Sequence, residues 1–459
     1  MQKLDINSLP LTVKPGDRQQ WSGLGGAALG LVLANCSRQF QGLTLILTEN
    51  SHQAERLHDE LVFFAHENGI DKQHLITEFP DWETLPYDNF SPHQDIISQR
   101  LETLFQLPNL QQGILIVSVT TLMHRLVPRS YILGNSLMLQ VGQQLPMAVM
   151  RRQLEAAGYY CVDCVYEHGE FAVRGSIIDI FPMGSKHPYR IELFDDEIES
   201  LRSFDPETQL SRDKVDEIRL LPGKEFPLNE ADIARFRRNF REAFNIDVRR
   251  CPLYEDVSQG FATPGIEYYL PLFFDEQQSL FDYLPDKVMI CSVGELEQSA
   301  WQFWRDVKAR YQDRCIDPQR PILEPGALFM PADEVLGRLH EHPRIHFQYG
   351  QKLAGKAHYN LQSRNFPDLS IQQKLHEPLV NLKNFLSENS ATPVLFACDS
   401  AGRRETLLDL LATIAIRPEV VDGWQDFYQR RPALAITVAP LETGLWLEAP
   451  DLIVIAESQ

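Results

Sequence analysis

No stretch of this 459-residue sequence reads as a membrane span. The apolar segment from Gly23 to Ala34 falls short of the ~20 residues a spanning helix needs, and the N-terminal MQKLDINSLPLTVKPGDRQQ has no signal-like apolar core. A soluble cytoplasmic chain with no membrane partner is expected. Cysteine is scarce: the seven (Cys36, Cys161, Cys164, Cys251, Cys291, Cys315, Cys398) are odd in number and scattered, which fits reduced thiols. Cys161-Val-Asp-Cys164 is the only CxxC and has no second pair, so neither a zinc ribbon nor redox chemistry is supported. Positive charge is also in short supply. With 43 Lys+Arg against 63 Asp+Glu, the net charge is −20, which argues against general affinity for the DNA backbone and favours a protein partner with basic patches.

A further absence lies in QQWSGLGGAALGLVLANC. The Gly-rich turn, the following apolar helix and the nearby strand LTLILT resemble a phosphate-binding loop, but GxxxxGK[ST] is incomplete. After Gly23, Gly25 and Gly26 come Ala27, Ala28 and Leu29, so no lysine neutralises phosphate and no hydroxyl holds magnesium.

At ~100–200 residues per domain the length suggests three or four units. Residues 1–135 read as α/β: Thr44–Thr48 and Gly113–Val119 are buried strands, and Ala54, Leu57, Leu61 and Phe64 mark one helical face. From 136 to 222 the pattern becomes α+β, with a strand at Leu137–Gln140, a helical stripe of Met147, Met150, Leu154 and Ala157, and several short strands up to Leu221-Pro222-Gly223. Residues 223–348 return to α/β through a helix over Glu230–Phe244 and a strand at Lys287–Cys291. A polar linker is expected over 349–384. A small α/β unit, 385–459, opens on strand Val394–Cys398, continues into a helix capped by Asp399 or Ser400 with Leu407, Leu408 and Leu411 inward, and reaches a strand at Leu452–Ala456. The chain stops directly after that strand, as a piece of a longer protein would.

Residues 168–205, HGEFAVRGSIIDIFPMGSKHPYRIELFDDEIESLRSFD, are the most informative. Strand alternation puts Ile191 and Leu193 on one face and Arg190, Glu192 and Phe194 on the other. Arg174 is out of phase with Phe171 and Val173, and Gly175 permits a bulge that re-aims it. Asp195-Asp196 fits a hairpin turn. An aromatic and two arginines on one solvated face have the composition of a binding hot spot. The alternative is that Phe194 covers the sheet edge while the arginines pair with Glu192 or Glu197.

FAVRGSIIDIFP and YRIELFDDEIESLRSFDPETQ closely resemble the insert domain of the excision-repair helicase UvrB. DWETLPYDNFSPHQDIISQRL, from Asp81 to Leu101, resembles the transcription-repair coupling factor (Mfd) family of gammaproteobacteria, whose N-terminal part the chain is similar to from end to end. The resemblance implies a degenerate RecA/helicase-like parallel-sheet domain with an inserted α+β domain, followed by a separate small α/β domain. It implies a catalytically silent adaptor that recruits UvrA to lesions at stalled RNA polymerase, docking through Arg174, Arg190, Glu192 and Phe194. On that reading Arg174→Ala or Arg190→Ala each costs roughly 2 kcal/mol of binding. RNA polymerase and DNA would be engaged by C-terminal domains beyond these residues, including a motor that uses ATP and magnesium. The intact protein's C-terminal region would mask the UvrA face. No cofactor is expected within 1–459. UvrB-like proteins carry an Asp-Glu pair where this chain has Ser292-Val293, so both ends of the nucleotide site depart from the pattern. The enzymatic alternative is a divergent UvrB-type ATP-dependent helicase domain, and a weaker third is a flavodoxin-like small-molecule domain. Where UvrB carries an aromatic hairpin used on DNA, Phe79, Trp82, Tyr87 and Phe90 lead quickly into a helix at Ile96–Phe105, an arrangement that disfavours strand clamping.

Other features carry less. His340, His342 and His346 lack nearby cysteines, and the first two are spaced for a strand rather than a helical metal pair. Ser91-Pro92-His93 has no third member for a nucleophilic triad. Arg403-Arg404, at a helix start where acids are favoured, reads as a solvated pair.

Overall fold

The computed structural model describes residues 2–3, 6, 8–12, 14–65, 75–349, 357–361, 363–370 and 378–459. The apolar runs of the sequence form the middle of one parallel sheet. Among the described residues its strands run in the order Gln2–Lys3, His358–Asn360, Arg18–Leu24, Arg344–Tyr349, Val288–Val293, Leu43–Thr48, Gly113–Ser118, Leu75–Glu78. Leu43–Thr48 and Gly113–Ser118 are buried at every residue, as central strands covered on both faces must be. Helix Ser51–Ala65 turns Ala54, Leu57, Leu61 and Phe64 inward, the face its spacing marks.

The insert leaves and re-enters through adjacent strands, Leu137–Gln140 pairing antiparallel with Glu217–Leu220. Between them lie helix Met147–Ala156, with Met150 and Leu154 buried, and a six-stranded sheet. That sheet runs Ser211–Val215, Glu197–Phe204, Tyr189–Phe194, Ile177–Ile180, Glu170–Arg174, Tyr160–Cys161, and only the last pair is parallel. After the insert, Asn229 caps helix Glu230–Ala243 by accepting the Asp232 N–H.

The expected linker over 349–384 contains a strand. His358–Asn360 inserts beside Arg18–Leu24, and Ser22 Oγ donates to Asn360 Oδ1 at 2.6 Å. Three polar residues carry no readable period, because this strand is held by ladder bonds rather than by burial of an apolar face. Residues 350–356 and 371–377 of that stretch lie outside the described residues.

The last unit has its own five-stranded sheet, Glu419–Val420, Leu434–Val438, Val394–Cys398, Asp451–Ala456, Leu445–Glu448. Ser400 caps helix Ala401–Ala412, with Leu411 buried and Leu407 and Leu408 half-buried. It packs directly on the first domain: Trp424 meets Phe64 edge-on with ring centroids 5.0 Å apart, and Leu441, Leu445 and Leu447 share one core with helix Ala28–Gln39. On the opposite face of the large sheet a second core runs continuously into the insert.

At the root of the insert, Arg100 is completely buried on helix Gln94–Gln106. Its Nε donates to Glu225 at 2.8 Å and its Nη1 to the Pro80 carbonyl at 2.8 Å, while the guanidinium lies 4.3 Å from the Phe79 ring centre and 5.2 Å from that of Trp82. Trp82 Nε1 donates to the other Glu225 oxygen at 2.9 Å. Phe79, Trp82 and Tyr87 are therefore core residues, unable to stack on a base, and only Phe90 of that group is exposed. Among the described residues no helix is long and apolar enough to cross a membrane.

Candidate functional site

The insert sheet separates its two faces as alternation demands. Phe171, Ile178, Ile180, Ile191, Leu193 and Leu201 are buried on one side. On the other, cross-strand register aligns Arg174, Ile177, Glu192 and Ser200 in one row, and Asp179, Arg190, Arg202 and Lys214 in the next. Arg174 and Glu192 are two strands apart, about 10 Å at the usual strand spacing. Phe194 stands at the end of its strand opposite Glu197, 70% exposed.

The two arginines differ in environment. Arg174 is exposed, its Nη2 donating to the Asp163 carbonyl at 2.8 Å and to Cys164 Sγ at 3.1 Å. These bonds orient the guanidinium without neutralising it. Arg190 is 17% exposed at its side chain and forks onto Asp179, itself 1% exposed, with Nε and Nη2 donating at 2.7 and 3.0 Å. Its guanidinium also lies 5.2 Å from the Phe204 ring centre and reaches Ser211 Oγ at 3.1 Å. The hydrogen bonds to Asp179 hold Arg190 above the ordinary arginine pKa. Neither Glu192 nor Glu197, the partners considered from sequence, pairs with it; Glu192 accepts from Ser200 Oγ.

The bulge expected at Gly175 is absent. Gly175, at φ +64°, and Ser176 form the hairpin turn, and the register shift falls between Glu192 and Leu193. The extra residue is Glu199 on the partner strand, so alternation along Tyr189–Phe194 is unbroken and turns Phe194 outward after Leu193 has entered the core. Asp195, at φ +52°, forms the expected turn with Asp196. Sequence reasoning missed Asp179, although a lone carboxylate in the apolar strand IIDI was a signal for a buried partner. It also missed Leu210, 68% exposed on the loop whose Gln209 carbonyl accepts from Arg190.

The Gly-rich loop is filled by protein. Ala27 N–H, at the start of helix Ala28–Gln39, donates to the Gly444 carbonyl at 3.1 Å, so a backbone dipole from the last unit takes the place where a helix start receives phosphate. Gly26 sits at φ +56°, and a Cβ there would lie 1.9 Å from the Gly444 oxygen. At Gly23 a Cβ would lie 2.5 Å from the Leu361 oxygen, and Ser363 Oγ donates to the Gly23 carbonyl at 2.6 Å. Gly25 has room, its nearest neighbour being Ser363 Oγ at 3.6 Å. Val293 is buried, and Ser292 Oγ lies 3.1 Å from His346 Nδ1. Neither side chain can hold a divalent cation as a carboxylate does.

Gly26→Ala is expected to loosen this junction. A left-handed alanine costs roughly 1–2 kcal/mol before the clash is counted, so amide exchange at Ala27 and around Gly444 should accelerate tenfold or more, while Gly25→Ala leaves it unchanged. Protection in Gly26→Ala equal to wild type would show that the contact does not hold the units together.

Beneath the same helix, burial pushes the Glu60 carboxyl up to about 7, opposed by Arg56 and by the Gly30 N–H, while Glu442 and Asp59 raise it further. The folded state thus retains a proton that the unfolded chain loses above about pH 4.5, and stability falls as pH rises from there to about 7. Glu60→Gln should therefore raise the melting temperature more at pH 8 than at pH 5; a pH-independent difference would mean the carboxyl is ionised when folded.

His340 is the C-cap of helix Ala332–Leu339, not a strand residue, and no metal-holding group of His, Cys, Asp or Glu occurs among the described residues. Cys161 and Cys164 are free thiols. Arg403 pairs with Glu457 at 3.2 Å and Arg404 with Glu405 at 2.8 Å.

Comparison with known proteins matches residues 137–226 to the UvrB interaction domain and residues 385–459 to the D3 domain of MFD. A transcription-repair-coupling factor of Escherichia coli (strain K12) is 42% identical over 451 residues, 98% of this chain and 38% of the relative. One from Haemophilus influenzae is 40% identical over 440 residues, 95% of the chain and 37% of the relative, and one from Bacillus subtilis (strain 168) is 26% identical over 301 residues. The chain spans less than two fifths of the length of the first two.

Proposed function

The chain belongs to the transcription-repair coupling factor family, as its UvrB-like N-terminal region, and from that premise we propose that it is an adaptor that docks UvrA on the polar face of its insert. The observation that carries this reading is Phe194, an aromatic left exposed by strand alternation on the same sheet face as the oriented, unneutralised guanidinium of Arg174. Buried aromatic and arginine anchors contribute most of the energy of protein interfaces. RNA polymerase binding, ATP-driven translocation along DNA and masking of the UvrA face fall to the C-terminal remainder of the intact cytoplasmic protein. Within these residues the Gly444 carbonyl supports a loop that has exchanged nucleotide for an interdomain contact.

Calorimetric titration with purified UvrA tests the proposal. Phe194→Ala should weaken binding by about 2 kcal/mol or more, some thirtyfold, with an unchanged melting temperature; Arg174→Ala should act alike. Wild-type affinity retained by both variants would remove this face from consideration. Heat from ATP and magnesium in a parallel cell, without UvrA binding, would revive the helicase reading.

A further inference from the structure

Against a net charge of −20, helix Glu230–Ala243 carries a stripe of cations. Arg237 and Arg241, one turn apart, and Arg238 lie on its exposed side and border an open depression of about 530 Å³ with Ala234 and Glu242. Arg238 shares Asp275 with Arg235. Arg237 and Arg241 have no ion-pair partner among the described residues and instead converge on the Tyr254 hydroxyl. Arg237 Nε donates to it at 3.4 Å, and Arg241 Nε and Nη2 at 2.9 and 2.7 Å. Tyr254 is buried and held in place by the rings of Phe236 and Phe240.

Donors predominate in this cluster: Glu242 borders it and Asp275 pairs with Arg238, but neither carboxylate forms an ion pair with Arg237 or Arg241. The Tyr254 oxygen already receives the guanidinium N–H groups, and its own proton has no acceptor among the described residues. Like charges one helical turn apart repel. Burial acts to raise the Tyr254 phenol, yet the N–H donors and charges of Arg237 and Arg241 outweigh it and hold it below its ordinary value. An anion with several acceptor oxygens satisfies every free donor and relieves the repulsion.

We propose that this helix face binds the phosphodiester backbone of nucleic acid, with Arg237, Arg241 and the Tyr254 hydroxyl donating to phosphate oxygens. The cluster is open and opposite in charge to a polyanion, and forked guanidiniums match phosphate geometry. Contacts of this kind position a duplex without reading its sequence. The site is separate from the insert face and independent of UvrA docking.

Fluorescence anisotropy of a labelled 20-base-pair duplex, titrated with the 459-residue chain at several salt concentrations, tests it. Wild type should bind in the non-specific range, roughly 10⁻⁴ to 10⁻⁶ M, and weaken as salt rises. R237A/R241A should lose tenfold or more at low salt and reduce the log–log salt slope by about 1.8, as expected for two phosphate contacts. R237K/R241K should keep the slope while losing part of the affinity, and Phe194→Ala should bind as wild type. The proposal is overturned if binding is absent or insensitive to salt, or if R237A/R241A, folded by circular dichroism, binds as wild type. If polyglutamate competes as well as unlabelled duplex at equal charge, the face recognises an acidic protein segment instead, and the proposal also fails.

Discussion

Arg190→Ala is expected to destabilise the insert by about 3–5 kcal/mol, because it strands the Asp179 carboxylate in the sheet without its partner. Asp179 is 1% exposed and takes both N–H forks of Arg190 at 2.7 and 3.0 Å. The next cation in its cross-strand row, Arg202, is two strands from Asp179 and cannot replace a bidentate contact. Urea unfolding should show a lower midpoint in Arg190→Ala, with partial recovery in the double variant Arg190→Ala/Asp179→Asn, where no charge is left unpaired. Arg190→Lys should fall between, since an ammonium keeps the charge but not the fork. This changes the meaning of the hot-spot expectation for Arg190. A loss of binding to UvrA in Arg190→Ala would then pass through the fold, whereas variants of Phe194 and Arg174 test the proposed docking directly. A stability change under about 1 kcal/mol, accompanied by complete loss of UvrA binding, would return Arg190 to the list of direct contacts.

A loss of similar size is expected for Arg100→Ala, at the root of the insert. Both partners of the Arg100–Glu225 pair are buried, at 0% and 3% side-chain exposure, and Trp82 shares the same carboxylate. Removing the guanidinium abolishes that pair, the bond to the Pro80 carbonyl and the packing between Phe79 and Trp82, and leaves Glu225 charged in an apolar setting. About 3–5 kcal/mol follows from the orphaned charge. Glu225 lies in the segment that leads from the insert's last strand, Glu217–Leu220, back to the first domain, so the loss should appear as one lowered transition affecting insert and first domain together. Arg100→Met/Glu225→Gln should recover much of the stability, because volume is kept and no net charge remains buried. If thermal melts of Arg100→Ala and wild type coincide, the pair is not what joins the two units.

Several elements were readable from local pattern alone. Leu43–Thr48, Gly113–Ser118 and Val394–Cys398 declared themselves as short apolar runs, and Ser51–Ala65 by its 3.6-residue stripe. Parity placed Ile191 and Leu193 inside and Phe194 outside, and the absence of a lysine after Gly26 could be read directly. Each of these signals lies within a few residues. The strand His358–Asn360 was not legible, since its partners, Gln2–Lys3 and Arg18–Leu24, are remote and its residues polar.

What the sequence determined by itself was most of the apolar strands and helices, the polarity of the insert's two faces and the absence of a lysine and a hydroxyl after Gly26, because backbone periodicity and residue type decide these locally. Only the tertiary structure decided which charges are free and which are bound. Asp179 meets Arg190 through strand register, Glu225 meets Arg100 across the insert's root, and the Gly444 carbonyl meets Ala27 from the far end of the chain. Such pairings depend on how buried surfaces close around polar groups that must find partners once water is excluded, and no local pattern records where that closure brings them.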